Sequence, residues 1–471
     1  MATEYDVVVL GGGTGGYVAA IRASRLGLKT AIVEKEKLGG TCLHKGCIPT
    51  KALLRSAEVY RTIRKSGDFG IDVTGAELNF AKIQERKKAV VGQLHRGVVH
   101  LMKKGKIDVY EGTGRILGPS IFSPLPGTVS VESSGGGNEM LLPKHLIIAT
   151  GSRPRVLPGF EVDGEYVLTS DEALELSELP ASVIIAGGGA IGVEWASMLS
   201  DFGVEVTICE VADRLLPGED CEISKEIARL LKKKGVTVLT GTTLNPASLH
   251  TGEGKLRIEA DVGAKTLEAE KLLLSVGRVA NIENIGLENT EIEIENGAIR
   301  VNEFYQTKES HIYAIGDCVG GLQLAHVASR EGIIAVDHIA GKNPDPLNET
   351  FVPKCVYANP EIASVGLSED KAKEKGYNVK VGKFSFKAVG KALVHGESDG
   401  FVKMVADVET NDILGVHIIG PHATDMISEA GLARVLDAAP WEVAMAVHPH
   451  PTLSEAIGEA ALAVDGLEIH A

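Results

Sequence analysis

Residues 7–16 read Val7-Val8-Val9-Leu10-Gly11-Gly12-Gly13-Thr14-Gly15-Gly16, and the chain then runs through a helix-like stretch, Tyr17–Leu26, to Ala31-Ile32-Val33-Glu34. An apolar strand, a glycine turn, a helix and a second strand ending in an acid make a βαβ unit, in which each glycine has its own job. Gly11 permits the tight turn, Gly13 lets the backbone approach a pyrophosphate, and Gly16 lets helix and strand pack closely. The helix N-terminus contributes unpaired N–H groups and the positive end of its dipole. Glu34, 18 residues past the last glycine, can accept a hydrogen bond from a ribose 2′-hydroxyl.

A second copy lies 176 residues further on. Val183–Ala186 reads as the strand, Gly187, Gly189 and Gly192 as the turn, Val193–Phe202 as the helix, and Glu210 as the terminal acid. One such fingerprint is a weak signal. Two in register, each with its strand, helix and acid, imply two dinucleotide sites. Glu210 would repel a 2′-phosphate, so the second site is expected to prefer NAD over NADP. Arg214, four residues beyond, reads as a solvated loop arginine.

The rest of the composition sets limits. A chain of 471 residues, 44% hydrophobic and 24% charged, is an ordinary globular protein of several domains rather than a disordered one. Its net charge of −15 makes it a poor generic binder of nucleic acid or anionic membrane, while leaving a basic protein partner open. No apolar run approaches the 18 residues of a spanning helix, and the N-terminus carries no targeting pattern, so the expected compartment is cytoplasmic. Six cysteines are too few for a secreted disulfide scaffold. Cys209, Cys221, Cys318 and Cys355 stand alone and read as buried small hydrophobes.

Cys42 and Cys47 are different. They sit in Gly39-Gly40-Thr41-Cys42-Leu43-His44-Lys45-Gly46-Cys47-Ile48-Pro49-Thr50-Lys51. Positions i and i+5 of a regular helix are about 7.5 Å apart along the axis and about 140° apart around it. A disulfide, whose Cα atoms lie within about 6.8 Å, closes there only if the turn is distorted, and Gly46 is expected to supply the freedom. Such a bridge is strained and easily reduced. Three readings compete: a metal site of Cys42, His44 and Cys47, for which no further ligands lie nearby; two unrelated buried thiols; and a redox-active disulfide beside a flavin, which the pattern favours.

Further motifs follow in a fixed order. Ile147-Ile148-Ala149-Thr150-Gly151-Ser152 precedes the second fingerprint, and Ser275-Val276-Gly277-Arg278, Ile312-Tyr313-Ala314-Ile315-Gly316-Asp317 and His448-Pro449-His450-Pro451-Thr452-Leu453-Ser454-Glu455 come after it. With the cysteine segment, this series resembles the pyridine nucleotide–disulfide oxidoreductases from Tyr5 to about Gly466, and within them the branch acting on dihydrolipoamide. The resemblance implies an α/β fold of two Rossmann-like dinucleotide domains and a C-terminal α+β interface domain. FAD would bind through Gly11, Gly13, Gly16, Glu34, Thr150, Gly151, Gly316 and Asp317, the last holding the ribityl chain. NAD would bind through Gly187, Gly189, Gly192, Glu210 and Gly277, with Lys51 and Glu194 meeting beside the flavin ring. His450, flanked by prolines and followed by Glu455, would be the acid/base, acting on the disulfide of the opposite subunit of an obligate homodimer. His448 is not expected to be catalytic, and no metal is expected.

The resemblance also sets expected boundaries: 1–149 for the FAD domain, 150–278 for the NAD domain, 279–348 for a return to the FAD domain, and 349–471 for the interface domain. Residues 128–142 read as a hairpin with a flexible Ser133–Gly137 tip, and 343–348 as a linker. Departures from the family pattern are few. Ala280 replaces a proline and is expected to loosen its turn, and His44-Lys45 is an unusual pair between the cysteines. The implied activity is oxidation of dihydrolipoamide on a lipoyl domain to lipoamide, with NAD reduced, inside a 2-oxo acid dehydrogenase complex. Several stretches resemble the bacillus type linked to branched-chain 2-oxo acids. There the protein would dock on the basic subunit-binding domain of the acyltransferase core. The alternatives are a glutathione-type reductase, against which Glu210 argues, and a non-catalytic flavoprotein scaffold or redox sensor. Reductases that use a second, C-terminal cysteine pair are excluded, since no cysteine follows Cys355.

Overall fold

The computed structural model describes residues 2–119, 126–133, 135–261 and 265–470. The chain forms two compact units, one of Met1–Ala52, Lys82–Arg155 and Arg278–Leu347, the other of Leu53–Ala81, Val156–Gly277 and Asn348–Ala471.

The first unit is built on β1 (Ala2–Leu10), α1 (Thr14–Arg25) and β2 (Thr30–Glu34). These are followed by α2 (Gly40–His44), α3 (Cys47–Arg64), α4 (Phe80–Lys104), β3 (Asp108–Leu117), β4 (Thr128–Ser133) and β5 (Asn138–Ile148). Five parallel strands lie in the order β3, β2, β1, β5 and Ile312–Ala314, and β4 pairs antiparallel with β3 and β5. Val7, Val8 and Val9 are fully buried, which is why β1 is a continuous apolar run rather than an alternating one. Each such side chain contributes about 1.5–3 kcal/mol on burial. Because the strands are parallel, Gly11, Thr150 and Gly316 all emerge at the same, C-terminal edge of the sheet. Helix α1 begins three residues before the expected start, because Gly13 (φ −67°, ψ −176°) is already its extended cap. The expected hairpin is β4–β5, with Val129 opposite Leu141. Ser133 N–H donates to the Gly137 carbonyl across its tip, of which residue 134 lies outside the described residues.

The second unit repeats the plan. Five parallel strands run in the order Thr237–Thr240, Glu205–Glu210, Ser182–Ala186, Lys271–Leu274 and Val167–Thr169. The helix Ala190–Phe202 takes the place of α1. This unit also holds a five-stranded antiparallel sheet, ordered Lys354–Val356, Glu361–Gly366, Ile413–Gly420, Phe401–Asp407 and Val379–Ser385. One face packs Val402, Met404, Ala406, Val416 and Ile418 into a core with the helices Ala423–Val435, Pro440–Met445 and Glu455–Ala463.

Alternation turns Lys403 to the other face. It is 2% exposed and its ammonium sits 3.1 Å from Asp220, itself 1% exposed, 2.9 Å from Glu222 and 2.8 Å from Glu369. Asp220 also caps the helix Cys221–Lys233, accepting the Glu222 N–H. Burial alone would lower the Lys403 ammonium, but its bonds to Glu369, Glu222 and Asp220 raise it. Burial alone would raise Asp220 and Glu222. His417 and Lys403 outweigh it at Asp220, and bonds from Lys383 and Lys403 do so at Glu222. Bonds from Lys373 and Lys403 lower Glu369.

Lys403→Met is expected to cost about 3–5 kcal/mol, because it leaves Asp220 buried without a counter-charge; urea unfolding checks it. The three depressed carboxylates stabilise the fold above the ordinary carboxylate range near pH ~4. That contribution is lost as pH falls through their folded values. Acidification should therefore lower the unfolding midpoint of the wild type more steeply than that of Lys403→Met.

Candidate active site

The two glycine turns have the same construction. Gly11 and Gly187 adopt φ +112° and +106°, a conformation open to glycine. A Cβ on Gly16 would run into the Gly11 carbonyl oxygen, and one on Gly192 into that of Gly187. The Gly12 N–H donates to Glu34 Oε2 at 2.7 Å and the Glu36 N–H to Glu34 Oε1 at 2.7 Å. Likewise Gly188 and Ala212 donate to the two oxygens of Glu210 at 2.5 and 2.7 Å. The sequence suggested a ribose contact for both acids, and the structure adds a clamp on the turn itself. Each carboxylate oxygen keeps a second lone-pair site for a hydroxyl. Helix α1 and helix Ala190–Phe202 open on Gly13 and Gly189 with no side-chain cap among the described residues, leaving first-turn N–H groups to an anionic ligand. Arg214 is half-buried rather than solvated and donates to the Pro217 carbonyl at 3.2 Å.

Thr150 and Gly151 (φ +69°) follow β5 beside Gly11. The Asn281 side chain donates to the Thr150 carbonyl at 3.1 Å and the Asn281 N–H to that of Gly151 at 2.9 Å. Gly316 (φ +73°) gives its N–H to Glu331 Oε2 at 2.5 Å. Asp317 accepts a short hydrogen bond from the Ser152 hydroxyl, which in turn accepts from Arg278 Nε at 2.7 Å. Gly277 (φ +100°) precedes Arg278–Ala280, a strand paired antiparallel with Ser152–Pro154. Ala280 therefore loosens no turn: it is 5% exposed and lies in a strand, opposite Ser152.

The cysteine helix is broken where the spacing requires. Helix α2 ends at His44, Lys45 takes φ −133° and ψ 14°, and α3 begins at Cys47. Gly46 contributes space rather than freedom. It does not adopt a positive φ, and a Cβ there would sit 3.2 Å from the Thr41 carbonyl oxygen. Both cysteines are thiols, and Cys42 has the Cys47 sulfur within hydrogen-bond reach. That bond and burial push the Cys42 thiol up, while the Thr14 hydroxyl and the Lys51 charge pull it down. Cys209 and Cys318 are buried, each thiol pushed up to about 11 by burial; Cys221 and Cys355, expected to be buried, are half-buried.

In the second unit, Glu194 is buried in the helix Ala190–Phe202 and accepts the Tyr357 N–H at 2.9 Å. His450 Nδ1 lies 2.8 Å from Glu455 Oε1, and Glu455 Oε2 accepts the Thr452 N–H at 2.8 Å. Burial alone would raise the Glu455 carboxyl, but the bonds from Thr452 and His450 hold it below the ordinary carboxylate range. An ionised Glu455 fixes the proton on Nδ1 and leaves Nε2 as the basic nitrogen, on a side chain that is 78% exposed. His448, 11% exposed, pairs with Glu429 at 2.7 Å. Pro449 O accepts from the Thr452 hydroxyl, which folds this turn back on itself.

Sequence reasoning missed Glu331, Asn281 and the Ser152–Arg278 contact. Their partners lie 15 to 131 residues away, and nothing in the local pattern marks them. Thr14 was missed as well: it stands among the fingerprint glycines, and its hydroxyl reaches Cys42. Among the described residues no group of three His, Cys, Asp or Glu side chains is placed to hold a metal, and no helix is long and apolar enough to cross a membrane.

Comparison with known proteins places this geometry. Residues 5–332 match the family model described as pyridine nucleotide-disulphide oxidoreductase, and residues 352–461 match its dimerisation domain. The chain is 70% identical to a dihydrolipoyl dehydrogenase of Bacillus subtilis, with 100% of both chains covered. It is 45% identical to that of Chlorobaculum tepidum, covering 98% of this chain and 97% of the other. The crystal structure of LpdA from Mycobacterium tuberculosis superimposes with a TM-score of 0.90 at 26% identity, covering 98% of this chain and 99% of that one. The HOCl-induced flavoprotein disulfide reductase RclA from Escherichia coli gives 0.85 at 27%, covering 96% and 98%.

Gly16→Ala and Gly192→Ala are expected to separate the two turns. The first should purify with less than about a tenth of its yellow chromophore, since the added carbon strikes the Gly11 carbonyl and typical overpacking costs 1–3 kcal/mol or more. The second should keep its colour and bind reduced nicotinamide dinucleotide at least about tenfold more weakly, read by fluorescence titration.

Proposed function

The chain belongs to the pyridine nucleotide-disulphide oxidoreductase family, and from that premise we infer that it catalyses the dihydrolipoyl dehydrogenase reaction, in which dihydrolipoamide becomes lipoamide and NAD is reduced. The observation that carries the reading is the cysteine pair: two thiols, in reach of one another across a broken helix, next to a dinucleotide-binding turn. The glycine cradles fit both cofactors. FAD would be held by Gly11, Gly13, Gly16, Glu34, Thr150, Gly151, Gly316 and Asp317, and NAD by Gly187, Gly189, Gly192, Glu210 and Gly277. When bound, FAD supplies a two-electron acceptor beside the cysteines and NAD the final acceptor.

The residues divide the work as follows. His450 Nε2 takes a proton from a dihydrolipoamide thiol, with Glu455 holding the imidazole and stabilising its charged form. The resulting thiolate attacks Cys42, and the Cys42–Cys47 bond breaks as a mixed disulfide forms. The second substrate thiol, losing its proton to solvent, displaces Cys42 and closes the lipoamide ring. Cys47 is left as a thiolate and Cys42 as a thiol, having received the proton from His450. Lys51 supports the anion by charge, and Lys51 and Glu194 are among the residues that would help hold FAD. The buried, clamped carboxylate of Glu210 disfavours a 2′-phosphate and so selects NAD.

The match to a dimerisation domain at 352–461 supports a homodimer in which His450 serves the cysteine pair of the other protomer. The working partners are a lipoyl domain carrying the substrate and the basic subunit-binding domain of an acyltransferase core. The charge of −15 steers the latter. The compartment is the cytoplasm, and the branched-chain 2-oxo acid complex is the assembly that the sequence resemblance favours.

His450→Gln is expected to lower dihydrolipoamide-dependent NAD reduction by about 10²–10⁴-fold while sparing NADH-driven dye reduction. Both activities are followed on the flavin-loaded dimer, and an equal fall in both overturns the role of His450. Because the Glu455 carboxyl is held low, Glu455 stays ionised as pH falls through the ordinary carboxylate range. The wild-type pH profile should accordingly show no inflection from Glu455 across the ordinary carboxylate range near pH ~4.

A further inference from the structure

The Leu38 carbonyl, just before the turn that carries Cys42, is held by two imidazoles. His44 Nε2 lies 3.0 Å from it and His95 Nδ1 also 3.0 Å. A carbonyl oxygen has two lone pairs and can accept both bonds. Each ring can then be neutral with its one proton on the bonded nitrogen, and the rings meet edge to face at 5.2 Å between centroids. His44 belongs to α2, between the two cysteines, whereas His95 comes from α4. Leu38 leads directly into Gly39 (φ +110°) and Gly40 (φ +57°), whose N–H groups donate to the Gly12 and Lys37 carbonyls. A Cβ on Gly40 would stand 2.6 Å from the Gly13 Cα, so this turn lies directly on the first glycine fingerprint. Further along, Lys45 pairs with Glu36 at 2.8 Å, and the Glu36 N–H is held by Glu34. The segment from Glu34 to Cys47 is thus laced to itself, and His95 ties it to a separate helix.

We propose that His44 and His95 are positioning residues for the redox couple, which fix the Leu38 carbonyl and so hold Cys42 and Cys47 in the geometry that keeps their disulfide easy to reduce. The proposal rests on the reading of these cysteines as a redox pair. Reduction breaks one S–S bond and takes two electrons from a dithiol, which closes to its own disulfide; of the two protons released, one makes the Cys42 thiol and the other passes to solvent, leaving Cys47 a thiolate. An i, i+5 bridge across a helix break is strained, and strain raises the potential. Losing either imidazole bond lets the Leu38–Cys42 turn relax around the bridge. The bridge then becomes more stable, and the equilibrium moves toward disulfide.

The test equilibrates flavin-loaded wild-type dimer, His44→Leu, His95→Leu and His95→Asn in graded oxidised and reduced dithiothreitol, then counts Cys42 and Cys47 thiols by alkylation and mass spectrometry. In the wild type both cysteines should convert together from blocked to alkylated across the series. If they do not, the redox reading itself fails. Given that conversion, each leucine variant should need at least about threefold more reducing buffer for half-reduction, where a tenfold change corresponds to about 30 mV. His95→Asn, whose amide nitrogen stands in for Nδ1 and keeps an N–H for the same carbonyl, should stay close to wild type. The two leucine variants are independent, so loss of flavin from one leaves the other to decide. Midpoints unchanged from wild type, or moved toward the dithiol, overturn the proposal, and so does His95→Asn shifting as far as His95→Leu.

Discussion

Two packed backbones, the helix starting at Thr14 and the strand ending at Leu10, approach so closely that Gly16 has no room for a side chain beside the Gly11 carbonyl. Everything at the flavin-type end depends on that approach. It brings the uncapped first turn of α1 over the strand edge, sets Gly12 where Glu34 can take its N–H, and leaves Gly13 bare against Gly40. Gly192 against Gly187 does the same in the second unit, with Glu210 on the Gly188 N–H. The cofactor turns are therefore rigid because the acids that end the second strands hold them from below.

That rigidity passes to the chemistry. The cysteine turn rests on Gly13, is tied by Glu36 and Lys45 to the loop that Glu34 anchors, and is gripped by two imidazoles at Leu38. At the other end of the chain, a carboxylate that is both hydrogen-bonded and ionised orients His450 and leaves its outer nitrogen exposed.

The sequence by itself determined the architecture and the local spacing of the glycine turns and the cysteines. Glycine at 11, 16, 187 and 192 is dictated by backbone contact, and such contact constraints print a fixed spacing that can be read without coordinates. The i, i+5 cysteines demanded a broken helix, and α2 and α3 are separated at Lys45 and Gly46. His450 and Glu455 are five residues apart, so their pairing was also local. Tertiary structure decided the rest. Gly46 proved to be a matter of space against Thr41, Ala280 a strand residue opposite Ser152, and His448 a partner of Glu429. Glu331 on Gly316, Asn281 on Thr150, His95 on Leu38 and Lys403 on Asp220 join segments 15 to 183 residues apart. Such bonds exist because a buried polar group must find a partner wherever the fold brings one, and that partner's position along the chain obeys no period.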